Sequence, residues 1–244
     1  MTQKSAIITG VEGGIGQKLS KTFKHSGYNV IGLDIRPQKH SVCDMYYEFD
    51  LNKFVVDYKY RSRMNDLFEK NISHLDVLIN NAAVQHLGNL KDITLKDWQE
   101  SLNVNLTGPL LLSQLFLSQL EVVQGSIINI GSIHQQLTKP RFISYATTKS
   151  ALIGLTKTMA VDLEGRVRVN AISPAAIETK MLLDGFDGDQ SALDKLRRIH
   201  PVQRIGYPDD VAKLALFLSE SNNGFIHGAN ITLDGGISSV LHDL

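Results

Sequence analysis

Thr9-Gly10-Val11-Glu12-Gly13-Gly14-Ile15-Gly16 is the stretch on which the fold turns. It stands between a short apolar run, 5–9, and a helical pattern over 14–26. Glycines here let the backbone turn tightly and approach a pyrophosphate. The helix that follows offers free N–H groups and the positive end of its dipole. The spacing is Gly-x-x-x-Gly-x-Gly, not the commoner Gly-x-Gly-x-x-Gly, and no P-loop aligns around Lys18. The place of the turn, after a first strand and before a helix, favours a dinucleotide over a bare tight turn.

Outward from the turn, short runs rich in β-branched residues and Leu alternate with helical patterns. The runs 5–9, 29–33, 76–79, 126–130, 168–172 and 231–233 read as strands buried on both faces. Helical spacing occupies 14–26, 64–71, 96–120, 145–163 and 209–219. This alternation predicts an α/β chain: a single-domain, Rossmann-type, doubly wound parallel sheet with helices on both faces, spanning 1–244. Gly27 suits a left-handed helix end, and Pro208, followed by Asp209 and Asp210, suits a helix start. Pro174 is expected to break the strand that ends at Ile172.

Lys plus Arg total 25 and Asp plus Glu total 25, so the net charge is zero. A polyanion-binding protein normally carries a basic excess, which argues against nucleic acid as the main ligand. Cys43 is the single cysteine, so no intrachain disulfide and no Cys-built zinc site is possible. Other histidines show no metal-ligand spacing, and Gly-x-Ser-x-Gly and Ser-x-x-Lys are missing, which disfavours metal and serine-hydrolase chemistry. No signal-like apolar region follows Met1–Lys4 and no run reaches the ~20 apolar residues of a membrane span. The expectation is a cytoplasmic protein.

Asp34 closes the second strand, about 20 residues after the turn. An acidic residue there accepts hydrogen bonds from a free ribose 2′-hydroxyl and repels a 2′-phosphate. Glu12 adds negative charge and Arg36 acts the other way, so the expected cofactor is NAD rather than NADP. Tyr145 and Lys149 stand at i and i+4 on a helical pattern and share one face. Ser132 lies just past the strand that ends at Ile130, at the carboxyl edge where such sheets place ligands. A phenol has an ordinary pKa of about 10. An ammonium ~4 Å away could favour the phenolate by up to about 4 kcal/mol at an effective dielectric near 20, roughly three pKa units. Tyr145 would then move a proton on a substrate oxygen, Lys149 would tune it and Ser132 would hydrogen-bond that oxygen.

Thr9-Gly10-x3-Gly14-x-Gly16, Asn80-Asn81-Ala82-Ala83, Asn105, Ser132, Tyr145-x3-Lys149 and Pro174-x-x-Ile177-x-Thr179 together resemble the short-chain dehydrogenase/reductase family. So does Gly228-Ala229-Asn230-Ile231-Thr232-Leu233-Asp234-Gly235-Gly236. The resemblance runs from Lys4 to Gly236 and implies a catalytic set of Asn105, Ser132, Tyr145 and Lys149. Asn105 would hold a water in a proton relay with Lys149. The resemblance also implies cofactor contacts from Gly10, Gly14, Ile15, Gly16 and Ala82. Asp50 and Leu51 would meet the adenine, and Asn80 would shape the cleft. Lys149 would bind the nicotinamide ribose beside Tyr145, while Pro174, Ile177 and Thr179 would border the nicotinamide. The family usually has Pro-Gly where this chain has Pro174-Ala175, which places a methyl group near the nicotinamide.

The loop Ser132-Ile133-His134-Gln135-Gln136-Leu137-x-x-Pro140-x-Phe142-x-x-Tyr145 resembles that of bacterial glucose 1-dehydrogenases. It makes His134 and Gln135 candidates for binding substrate hydroxyls on a sugar or polyol; a water-facing loop is the plainer alternative. Residues 177–201 would form a substrate lid, hinged at Gly185 and Gly188. Arg197, Arg198 and His200 within it read as a solvated helix face. The apolar stretch 102–120 exceeds what one core face needs, which suggests a subunit contact and a homotetramer. The expected activity is NAD-linked interconversion of a secondary alcohol and a carbonyl. The alternatives are a 3-oxoacyl reductase-type member, a non-catalytic nicotinamide-nucleotide sensor, and a sugar-nucleotide epimerase or dehydratase.

Overall fold

The computed structural model describes residues 3–241; both extreme ends of the expected 1–244 domain lie outside the described residues. Seven parallel strands form one sheet in the order β3-β2-β1-β4-β5-β6-β7. They are β1 (Ser5–Thr9), β2 (Asn29–Asp34), β3 (Met45–Glu48), β4 (Val77–Asn80), β5 (Ser126–Ile130), β6 (Arg168–Pro174) and β7 (Asn230–Leu233). This is the doubly wound, single α/β domain that the alternation predicts.

Successive residues of the strands feed opposite cores. Ile7, Ile31, Leu78, Ile127 and Val169 point to one face, under α3 (Tyr58–Asn71), α5 (Gly108–Leu115) and α7 (Ile143–Leu163). Ala6, Ile8, Val30, Ile79, Ile128 and Ile172 point to the other, under α1 (Gly14–His25) and α10 (Pro208–Ser219). Phe68 and Phe116 pack ring to ring at 5.7 Å on the first face and are fully buried. Each such ring contributes about 1.5–3 kcal/mol by leaving water.

Local chemistry sets the ends of the helices. Gly27 takes φ 84 after α1, and Tyr28 N–H reaches back to the Phe23 carbonyl at 3.1 Å, a left-handed helix stop. Pro208 opens α10, where the Asp210 carboxylate accepts the Tyr207 N–H at 2.8 Å.

Three boundaries differ from expectation. β3 has no continuous apolar run, because it is an edge strand with only half-buried or exposed residues. The helix expected from Met64 begins at Tyr58, capped by the Asp57 side chain, and a short α2 (Leu51–Val56) precedes it. β6 continues through Pro174, which pairs in register with Leu233. Its missing N–H faces the side where β5 has already ended, while the next N–H, of Ala175, bonds Leu233 at 3.0 Å.

The expected 96–120 helix is four pieces: α4 (Leu95–Leu102), a π-helical turn (Asn103–Thr107), α5 and α6 (Leu117–Val122). The lid region holds α8 (Lys180–Asp184) and α9 (Gln190–Arg198), separated by a loop in which Gly188 takes φ 81.

Candidate active site

β1 lies between β2 and β4, so the chain leaves the carboxyl ends of β1 and β4 on opposite sides and opens a crevice. Thr9 stitches that crevice. Its hydroxyl accepts the N–H groups of Asn81 and Ala82, both at 2.9 Å. The Asn81 side chain returns the tie by donating to the carbonyls of Thr9 and Gly10 at 2.9 and 3.1 Å. Gly10 takes φ +64, and a Cβ there would fall 2.8 Å from the Ala82 Cα. A Cβ on Gly16 would lie 2.1 Å from the Gly10 carbonyl oxygen. No side chain caps α1, so its first N–H groups are left to an anion. A Cβ on Gly14 would meet the Thr179 methyl at 2.9 Å. Gly10, Gly14, Ile15, Gly16, Ala82 and Thr179 thus converge on a cradle of bare backbone, and the residues present fit a dinucleotide.

Asn80 braces the crevice from below. Its side chain donates to Asn129 at 2.9 Å, Asn129 donates to Thr156 at 2.9 Å, and the buried Asn80 Oδ1 has no partner among the described residues. Asp50 caps α2 by accepting the Lys53 N–H at 2.9 Å, and Leu51 packs in the core under Gly108. Ile177 is buried and bridges to Gly206. Ala175 is not among the described non-glycine residues with positive φ, so its backbone does not demand the family's glycine.

Asp34 is buried at the end of β2, as expected, but its carboxylate is not free. Arg36 donates to it from its backbone N–H and Nε, both at 3.0 Å, and from Nη2 at 3.2 Å. Glu12 N–H adds a fourth bond at 2.8 Å. The buried Glu12 carboxylate itself accepts the N–H groups of His40 and Ser41 at 2.9 and 2.8 Å. Those bonds hold its pKa down to about 2 although burial opposes them.

The catalytic candidates meet at the carboxyl end of β5. Ser132 follows β5, its hydroxyl accepts the His134 N–H at 3.2 Å, and it stands near enough to the Tyr145 phenol to favour its ionised form. Tyr145 and Lys149 share a face near the start of α7, with the Lys149 Nζ 5.6 Å from the Tyr145 ring centre. That ammonium donates to the Ile130 carbonyl at 2.7 Å. Burial lowers the Lys149 pKa to about 8. Burial also raises the Tyr145 pKa, and the nearby Ser132 hydroxyl pulls it partly back. The expected lowering of the phenol by the ammonium is therefore not the leading influence in this geometry: desolvation is.

Asn105 sits in the π turn and is 1% exposed. Its side chain bonds both the N–H and the carbonyl of Val84, at 2.9 and 3.0 Å, and donates to Thr148 at 3.0 Å. The amide clips three segments together and does not contact Lys149 directly.

His134 and Gln135 form a short 3₁₀ turn beside Tyr145. The His134 ring stacks on Phe142 at 4.5 Å and meets the Tyr145 ring edge-on at 5.9 Å. Burial and the nearby Lys139 lower its pKa, and its buried Nδ1 has no partner among the described residues. Gln135 is half-buried, and its carbonyl accepts the Ser150 hydroxyl. Phe142, the residue just before α7, stood in the loop pattern, but its stacking on His134 escaped the sequence reading. Asn81 escaped as well; its motif was visible, but not its bonds across to β1. His200 departs from expectation: it is 2% exposed, with Nδ1 2.7 Å from the Leu196 carbonyl, because it lies past the end of α9 in the bend that follows and not on the helix's solvated face.

Among the described residues, no three His, Cys, Asp or Glu side chains are placed to hold a metal ion. No helix among the described residues is long and apolar enough to cross a membrane.

A crevice built on a Gly-rich turn, with Ser132, Tyr145 and Lys149 grouped past the carboxyl end of β5, is compatible with a nicotinamide-nucleotide oxidoreductase. Comparison with known proteins agrees. A family profile described as enoyl-(acyl carrier protein) reductase matches residues 10–238, and the chain belongs to the short-chain dehydrogenase/reductase family, whose members use NAD(P) and act on CH–OH groups. It is 28% identical to D-threitol dehydrogenase of Mycolicibacterium smegmatis over 96% of this chain and 92% of that one. It is 31% identical to a 3-oxoacyl-(acyl-carrier-protein) reductase of Thermotoga maritima over 96% and 97%. Among solved structures, the ligand-free aldohexose dehydrogenase of Thermoplasma acidophilum superposes with a TM-score of 0.90 at 28% identity, covering 99% of this chain and 96% of that one.

Proposed function

We propose that the chain is a dehydrogenase that works with NAD and interconverts a secondary alcohol and its carbonyl on a sugar or polyol. The observation that carries this reading is the grouping of Ser132, Tyr145 and Lys149 at the carboxyl end of β5. The nicotinamide, when bound, supplies the hydride acceptor. In the oxidation direction Tyr145 takes the alcohol proton at its phenol oxygen. Ser132 holds the substrate oxygen by a hydrogen bond, and Lys149 places a buried positive charge behind the tyrosine. A water relay at Asn105 would use the main chain of the π turn, since the side-chain amide is committed to Val84 and Thr148.

The sugar or polyol class rests on His134. A neutral imidazole offers one donor and one acceptor, and this ring, with its Nδ1 unpartnered among the described residues, stands 5.9 Å from the phenol ring. That suits a hydroxyl next to the reacting carbon. Gln135 provides a second polar contact. Similarity to threitol and aldohexose dehydrogenases supports the same class. The preference for NAD rests on two buried carboxylates, Asp34 and Glu12, at the ribose end. Residues 177–201 are the proposed lid. A homotetramer is proposed from the apolar stretch 102–120, in which Leu102, Leu106 and Leu110 are half-buried; light scattering should give four times 27.0 kDa.

NADH formation by the purified protein against sugars, polyols, simple secondary alcohols and a 3-hydroxyacyl thioester tests this reading, with Tyr145→Phe alongside. Turnover on sugars or polyols that is lost in the variant is expected. Turnover on the thioester alone moves the assignment to the 3-oxoacyl reductase type, which the Thermotoga relative favours. Turnover retained in Tyr145→Phe refutes the base assignment.

A further inference from the structure

Asp34 is one of the two carboxylates on which the NAD assignment rests, yet no acceptor site on it is free. A carboxylate offers about four hydrogen-bonding positions. Here Oδ1 takes the backbone N–H and Nε of Arg36, and Oδ2 takes Glu12 N–H and Arg36 Nη2. A ribose hydroxyl can reach Asp34 only if the guanidinium gives way.

The guanidinium is built to do so. The Arg36 side chain is 57% exposed, whereas that of Asp34 is 3% exposed. The Arg36 backbone is anchored, since the Tyr46 hydroxyl donates to its carbonyl at 2.5 Å. Only the arm is free to swing. Its Nη2 lies 3.9 Å from where a Cβ on Gly13 would stand, so the guanidinium hangs beside the phosphate-cradling turn. Nη1 makes no bond within the chain among the described residues, while Nε and Nη2 face Asp34. An arginine held in this way can neutralise Asp34 on one edge and present the other edge to an anion.

We propose that Arg36 is a movable counter-ion on Asp34 that determines cofactor choice and makes the site admit NADP as well as NAD. For NAD, Arg36 swings off and Asp34 accepts the ribose 2′-hydroxyl. For NADP, Arg36 stays and bridges Asp34 to the 2′-phosphate, cancelling the repulsion that Asp34 alone would exert. Glu12 gives no such latitude, because His40 and Ser41 N–H groups hold its carboxylate in place. It keeps a negative bias that leaves NAD the better ligand by a narrow margin. The inference deepens the dehydrogenase reading and rests on it.

Direct binding tests it without a substrate. NADH and NADPH are titrated by their fluorescence against wild type, Arg36→Ala and Arg36→Lys, with thermal melts to confirm folding. Wild type is expected to bind both, with NADH favoured by less than about tenfold. Arg36→Ala should raise the NADH-to-NADPH affinity ratio at least tenfold, through weaker NADPH and equal or tighter NADH binding. Arg36→Lys, which keeps the charge but cannot bridge, should fall between the two. A ratio that moves less than twofold in Arg36→Ala overturns the proposal and leaves the dehydrogenase reading standing. So does a wild type that excludes NADPH as completely as the alanine variant. If neither nucleotide binds wild type, both readings fail together.

Discussion

Lys149 is a charge placed where water cannot reach it. Its side chain is 2% exposed, and burial brings its pKa from 10.5 to about 8. Between about pH 8 and 10.5 the unfolded chain holds that proton more tightly than the folded one, so stability rises with pH across this window. Below pH 8 the penalty is complete, on the order of 3–4 kcal/mol for the 2.5-unit difference. Lys149→Met should therefore stabilise the fold at pH 7, by a net of about 1–2 kcal/mol once the lost bond to Ile130 is counted, and so raise Tm. The gain should shrink by pH 10, and turnover should disappear; paired melts at the two pH values check this. Tyr145 ionises above the ordinary phenol range, so the oxidation rate should climb through the alkaline region and the reduction rate should fall. In Tyr145→Phe turnover should drop about 10²–10⁴-fold with NADH binding intact, as for removal of a general base. The identity and spacing of these residues were legible in the chain. Their electrostatics were not, because i and i+4 spacing says nothing of desolvation, which here outweighs the pair's mutual effect.

At the scale of elements, the phosphate turn is the part that tolerates least. In Gly14→Ala the new methyl would stand 2.9 Å from the Thr179 methyl, at the start of α8. Thr179 must move, so NADH affinity should fall about tenfold or more while Tm changes little; titration and melting separate the two. Asn105→Ala breaks the clip joining the π turn to Val84 and α7. It should cost about 1–3 kcal/mol, from the buried groups left unpaired, measurable as a shift of the urea midpoint. The turn could be read from sequence because only glycine fits its geometry. The π turn could not, because Asn103-Val104-Asn105-Leu106-Thr107 continues the helical apolar pattern on both sides. β3 was missed for a related reason: apolar periodicity reports burial, and an edge strand has little.

For the molecule as a whole, the two cores on either face of the sheet hold the crevice open by holding the strands in register. Phe116 is fully buried against Phe68 between α5 and the sheet. Phe116→Ala should destabilise by about 3–5 kcal/mol, read from denaturant unfolding, far from any cofactor contact. The parallel topology was legible because strands buried on both faces leave long apolar runs separated by helical ones. The crevice's long-range bonds were not, since Thr9–Asn81 and Glu12–His40 join residues far apart in the chain.

The Glu12 bonds have one more consequence. His40 and Ser41 lie in a segment with no regular structure, and His40 is exposed. Amides in such a segment ordinarily trade their hydrogens with solvent almost at once. These two are tied to a buried carboxylate, so in deuterium exchange they should behave as strand amides do, opening only when the phosphate turn itself comes apart. Their exchange would act as a clock for the integrity of the nucleotide site, and it would run with no nucleotide bound.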